Sequence, residues 1–104
     1  MNAPEVEQYH ATDAHTLEII MKKPVIRRGK FIEFSVELRE KVNKSSLPWK
    51  TVGKLEENQR RHRVKGLKSN TDYEFRVRGE VEYIGFSDYS KKYAFHTPKE
   101  SESC

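Results

Sequence analysis

The stretch Val64-Lys65-Gly66-Leu67-Lys68-Ser69-Asn70-Thr71-Asp72-Tyr73-Glu74-Phe75-Arg76-Val77 decides the fold. In its second half Tyr73, Phe75 and Val77 alternate with Glu74, Arg76 and Arg78. A period of two belongs to a strand with one face on a core and the other in water. Ahead of it, Gly66 to Asn70 carries the glycine, serine and asparagine that turns use. Before the turn, Arg61 to Lys65 reads as a weaker strand, with Arg61, Arg63 and Lys65 outward and His62 and Val64 inward.

The alternation recurs in both directions from this centre. Ile32, Phe34, Val36 and Leu38 alternate with Glu33, Ser35, Glu37 and Arg39. Leu17, Ile19 and Met21 alternate with Glu18, Ile20 and Lys22 until Pro24 ends the run, as proline does at the end of a strand. Tyr93-Ala94-Phe95-His96-Thr97 closes the pattern before Pro98, and weaker segments lie at Val6 to Ala11 and Trp49 to Lys54. Turn-like clusters at 26–30, 43–48 and 85–88 separate the runs. Lys54 to His62 has the Glu, Gln and Arg content of a helix but no apolar stripe, so it is expected to be a charged loop. About seven short strands with no helix predict an all-β, seven-stranded antiparallel β-sandwich.

Composition agrees with a single domain. The chain has 104 residues, 35% of them hydrophobic and 35% charged, a balance that raises the question of disorder. Five Phe, five Tyr and one Trp answer it, because disordered segments lack the residues that fill a core. The domain is expected to span Pro4 to Pro98, with 1–3 as linker and 99–104 as a polar tail of the kind that joins neighbouring domains. Net charge is +4, a hint of acidic partners. Cys104 is the single cysteine, so no intrachain disulfide forms, and no role is assigned to it. No apolar run approaches a membrane span, and no signal-peptide core follows Met1. A cytoplasmic setting is therefore expected, with an extracellular segment of a receptor or matrix protein as the alternative.

These residues resemble the fibronectin type III family, whose fold is an immunoglobulin-like sandwich. In that family a leucine plugs the bottom of the core, and a tyrosine six residues later forms the "tyrosine corner"; Leu67 and Tyr73 match that spacing. A buried tyrosine needs a partner for its hydroxyl, and a neighbouring backbone group fixes the turn. Gly85-Phe86-Ser87-Asp88-Tyr89-Ser90 is similar to the glycine–serine–serine pattern that opens the family's last strand. Phe34 to Arg39 looks like its third strand, and Trp49 falls where an aromatic often begins the next. The resemblance covers Pro4 to Pro98. Two departures stand out: Pro4 is all that is left of the prolines common at the family's entry, and Met21 replaces the usual tryptophan ahead of Pro24. Methionine fills irregular gaps, so the core is expected to survive the exchange.

The resemblance implies a non-catalytic interaction or spacer module of a multidomain protein, with another protein as partner and no cofactor. Nothing in the chain argues otherwise. No nucleophile sits in a recognisable motif, no phosphate-cradling glycine loop occurs, and the four histidines lack the company a metal site needs, so enzyme activity and a metal are not expected. The loop Glu80 to Phe86 often carries recognition in this family, and here Tyr83, Ile84 and Phe86 are its candidate protein-binding residues. The other reading of Tyr83 and Ile84 is that they fold back over the core. A second candidate site is Arg60, Arg61, Arg63 and Lys65, spaced to bind heparan sulfate or a similar polyanion through guanidinium forks. Against it stands a plainer role, since basic side chains on an edge strand block pairing with other chains. Nucleic acid is not expected as a partner, and the isolated domain is expected to be monomeric. The outer charges Glu33, Glu37, Arg39, Glu74, Arg76 and Arg78 are expected to pair across strands, with no function assigned. Asn43-Lys44-Ser45 is a glycosylation acceptor that matters only in a secreted setting.

Overall fold

Each run of alternating residues forms a strand. The computed structural model describes residues 3–23, 30–42, 45–56 and 58–100. The turn at 26–29, the Asn43 acceptor and Cys104 lie outside the described residues. Among these the strands are β1 (Val6–Asp13), β2 (Thr16–Met21), β3 (Phe31–Val42), β4 (Ser45–Ser46), β5 (Lys50–Glu56), β6 (Arg61–Val64), β7 (Asp72–Val81), β8 (Gly85–Phe86) and β9 (Tyr93–His96). β4 and β8 are two-residue additions to the seven longer strands. One sheet runs β1-β2-β6; the other runs β4-β3-β7-β8, with β5 also on β3 and β9 also on β7. All pairings are antiparallel.

The inward residues of the two sheets meet in one core. Leu17, Ile19, Val36, Leu55, Phe75 and Val77 are fully buried, and Met21 takes its place there at 2% exposure. Burying one such side chain contributes roughly 1.5–3 kcal/mol. Phe75 stacks on Tyr93, and Tyr9 meets both rings edge-on. The Tyr9 hydroxyl donates to the Ala94 carbonyl, and the Tyr93 hydroxyl accepts from Val6 N–H, so β1 is tied to β9 through side chains.

Strand claims both ends of the charged loop expected over Lys54 to His62. Lys54 to Glu56 is strand, because Leu55 is fully buried opposite Phe34 and draws β5 two residues further than its polar neighbours suggest. Only the residues just before Arg61 turn the chain, where Gln59 N–H donates to the Glu56 carbonyl.

Buried polar groups hold the irregular parts. At the β6–β7 turn, Lys68 N–H donates to the Tyr73 hydroxyl at 2.9 Å, beside the buried Leu67. Thr97 has no exposure; its Oγ1 accepts from Thr71 N–H and donates to the Lys68 carbonyl. Between β8 and β9, two serines replace a regular ladder. Ser87 gives its N–H to the Gly79 carbonyl and takes the Gly79 N–H on Oγ. Ser90 does the same with Val77.

Candidate functional site

The β7–β8 hairpin ends in the segment Glu82-Tyr83-Ile84, closed by Val81 opposite Gly85 and by Ile84 N–H donating to the Val81 carbonyl. Tyr83 has φ of 64° and Gly85 φ of 111°. A left-handed conformation is ordinary for glycine and unusual for an aromatic residue. It carries the Tyr83 ring away from the protein: the residue is 98% exposed, and its neighbours Ile84 and Phe86 are 54% and 58% exposed. None of the three folds back over the core, so this end presents an apolar tip.

Phe86 is backed by an arrangement that alternation alone does not reveal. In a regular strand, residues an odd number apart point to opposite faces. Ser87 and Ser90, three positions apart, bond Gly79 and Val77, which are two apart. The extra residue brings Phe86 and Tyr89 onto the same outer face. There the Arg78 guanidinium lies over Phe86 at 4.1 Å and over Tyr89 at 4.6 Å. Arg76 lies over Tyr89 at 3.6 Å and Trp49 at 4.3 Å, and Arg39 covers Trp49 at 4.1 Å. Three guanidinium groups and three rings thus alternate across the sheet.

The expected charge pairs are woven into this ladder. Arg39 pairs with Glu74, and Arg76 with Glu37, whose carboxylate also accepts from the Tyr89 hydroxyl. Glu74 and Glu37 are only 9% and 14% exposed at the side chain, so these pairs are better shielded than ordinary surface pairs. Arg78 pairs with no carboxylate among the described residues, and its Nε is buried without a partner.

The basic strand is differently employed. Arg61, Arg63 and Lys65 point outward while His62 and Val64 turn in. Arg63 Nε donates to Glu18 at 2.9 Å, and Arg60 bonds Glu7 and the Met21 carbonyl. The hydrogen bond from Arg63, helped by the charges of Arg61 and Arg63, holds the Glu18 carboxyl below the usual carboxylate range. Two of the four basic residues are therefore engaged with carboxylates. Among the described residues, no three His, Cys, Asp or Glu side chains converge on a metal position, and no helix is long and apolar enough to cross a membrane.

Two antiparallel sheets around one core and a tyrosine-closed turn define an immunoglobulin-like sandwich module. The model of the fibronectin type III domain matches residues 2–96, and the chain belongs to that family. The sixth fibronectin type III domain of human fibronectin type III domain containing protein 3 superposes with a TM-score of 0.73 at 20% identity, covering 99% of this chain and 88% of that one. The FN5 domain of Drosophila Lar does so with a TM-score of 0.70 at 19% identity, covering 91% and 94%. A structure described as a myokine gives 0.74 at 19% identity, covering 94% and 98%. These likenesses concern the fold. No curated protein matches the chain by sequence. Fibronectin type III domains are typically interaction modules of multidomain proteins and generally non-catalytic.

Proposed function

We propose that this domain docks another protein through the β7–β8 tip, with Tyr83, Ile84 and Phe86 as the contact residues. The observation that carries the reading is Tyr83, 98% exposed and held at a positive φ. An aromatic residue in a left-handed turn is strained by about 1 kcal/mol or more, and glycine at that position would relieve it. Strain kept at a fully exposed ring has a ready use in binding, because large rings with few rotatable bonds are what interfaces use as anchors. Phe86 adds a second anchor, and its contact with Arg78 fixes the ring before any partner arrives, which lowers the ordering cost of association.

A photo-crosslinking phenylalanine analogue placed at position 83, and for comparison at the exposed position 8 on β1, tests this in extracts of cells that express the protein. The expected result is one adduct of discrete mass from position 83 only. Excess unmodified domain should compete it away, and a Tyr83→Ala, Phe86→Ala domain should not. Equal labelling from both positions, or equal competition by the double variant, would sink the proposal. Folding is controlled by Tyr83→Gly, which should be as stable as the parent or more so.

A further inference from the structure

The seam where β5 and β6 face each other joins the edges of two different sheets. Across it reaches the half-buried ring of His62. Nε2 is buried and has no hydrogen-bond partner. The backbone carbonyl of Val52 is the nearby group that favours a proton on the ring. That carbonyl is presented by a bulge: Val36 pairs with Gly53 and Glu37 with Thr51, leaving Val52 as the extra residue of β5. The Nε2 edge of the ring packs against Gly53, where an added Cβ would fall 2.0 Å from Nε2. Nε2 is therefore packed against the Gly53 backbone without a hydrogen-bond partner.

We infer that His62 is a proton-operated latch: when the ring takes up a proton in mildly acidic solution, the seam between β5 and β6 opens. A proton on Nε2 would place an unpaired, desolvated N–H and a positive charge against Gly53. The charged groups around the seam do not relieve it. On and just before β6 stand Arg60, Arg61, Arg63 and Lys65; on β5 stand Lys50, Lys54 and Glu56. On β2, Ile19 is the register partner of His62, and the adjacent Glu18 is held by Arg63. On β3, Val36 and Glu37 face Gly53 and Thr51; Glu33 is paired with Lys54, and Glu37 with Arg76. Burial is the main influence on the ring and holds its proton affinity below that of an ordinary histidine, opposed only by the Val52 carbonyl.

The sign follows. Above an ordinary histidine pKa of about 6.5 both folded and unfolded chains are neutral at this residue, and its contribution is complete. As pH falls below that value the unfolded chain takes the proton first, and stability drops until the folded ring titrates. His15 acts in the opposite sense, since its bond to the Leu67 carbonyl raises its proton affinity. The latch is therefore read as a difference between parent and His62→Phe.

Urea unfolding of both proteins from pH 8 to pH 5 is the first test. The parent's unfolding constant should rise by up to about tenfold per pH unit below 6.5 relative to the variant. On the parent alone, the His62 ring signal should titrate below 6.5. Between pH 7.5 and 5.5, amide exchange corrected for its chemical rate should accelerate at Gly53, Leu55, His62 and Val64 more than across the β3–β7 pair. Identical pH slopes in the two proteins, a ring titrating at or above 6.5, or uniform acceleration of exchange would each overturn the latch. If His62→Phe fails to fold, the two measurements on the parent decide.

Discussion

The hydroxyl of Tyr73 reaches back over five positions to take the Lys68 N–H at 2.9 Å, and the side chain is otherwise packed on Phe95. Its aromatic body and its polar tip do separate work, and a single atom distinguishes them. Tyr73→Phe keeps the stacking and leaves the Lys68 amide without its acceptor in a part-buried turn. The variant should lose on the order of 1 kcal/mol in chemical denaturation. No loss would mean that packing around Leu67 closes the turn alone. Thr97 is the harsher case, because one hydroxyl serves both the Thr71 amide and the Lys68 carbonyl in a site with no exposure. Thr97→Val preserves shape and strands both groups, so a larger loss of about 2 kcal/mol is expected in the same assay. The two residues also differ in how readable they are. The Tyr73 corner announces itself through the Leu67 spacing, whereas Thr97 is one threonine before a proline, with nothing local to mark it as a hub.

Between elements, the outer face of the β3–β7 sheet carries more than the exposed charge pairs that alternation predicts. Arg76 is held between Trp49 and Tyr89 and bonded to Glu37, which is only 14% exposed. Removing it separates two rings and leaves a shielded carboxylate unpaired. Arg76→Ala should therefore cost about 2–3 kcal/mol, against at most about 0.5 kcal/mol for Arg61→Ala on β6. Equal small losses in thermal unfolding would show the ladder to be a solvated face after all. The strands β2, β3, β7 and β9 are legible because their side chains obey a period of two. The ladder is not, because its members come from four segments. Its geometry also depends on Ser87 and Ser90 inserting an extra residue opposite β7, which reverses the facing of Tyr89. The end of β5 escapes notice for a related reason: Leu55 is a single apolar residue among charges, and its burial opposite Phe34 is a tertiary fact. Tyr83 and Phe86 are visible as apolar residues in a turn, but nothing in the order of residues says whether they fold in or stand out.

For the molecule as a whole, a net charge of +4 and a run of arginines invite a polyanion as partner, yet where the charges sit matters more than their number. A sulfated chain is bound when closely spaced cations release its counterions, and affinity then falls steeply with salt. On β6 that requires Arg60, Arg61, Arg63 and Lys65 to act together. Arg63 is bonded to Glu18, and Arg60 to Glu7 and a backbone carbonyl, so binding would have to break these contacts or accept a site of fewer cations with carboxylates beside it. The pairing also suits an edge strand, where outward charge discourages another chain from adding to the sheet. The domain should accordingly elute from immobilised heparin at the same salt concentration as from a plain cation exchanger. An Arg60, Arg61, Arg63 to alanine variant should shift by the same amount on both columns, as loss of bulk charge predicts. Markedly later elution from heparin, abolished in that variant, would move the binding surface from the β7–β8 tip to β6. It would also require that sulfate outcompete Glu18 for Arg63.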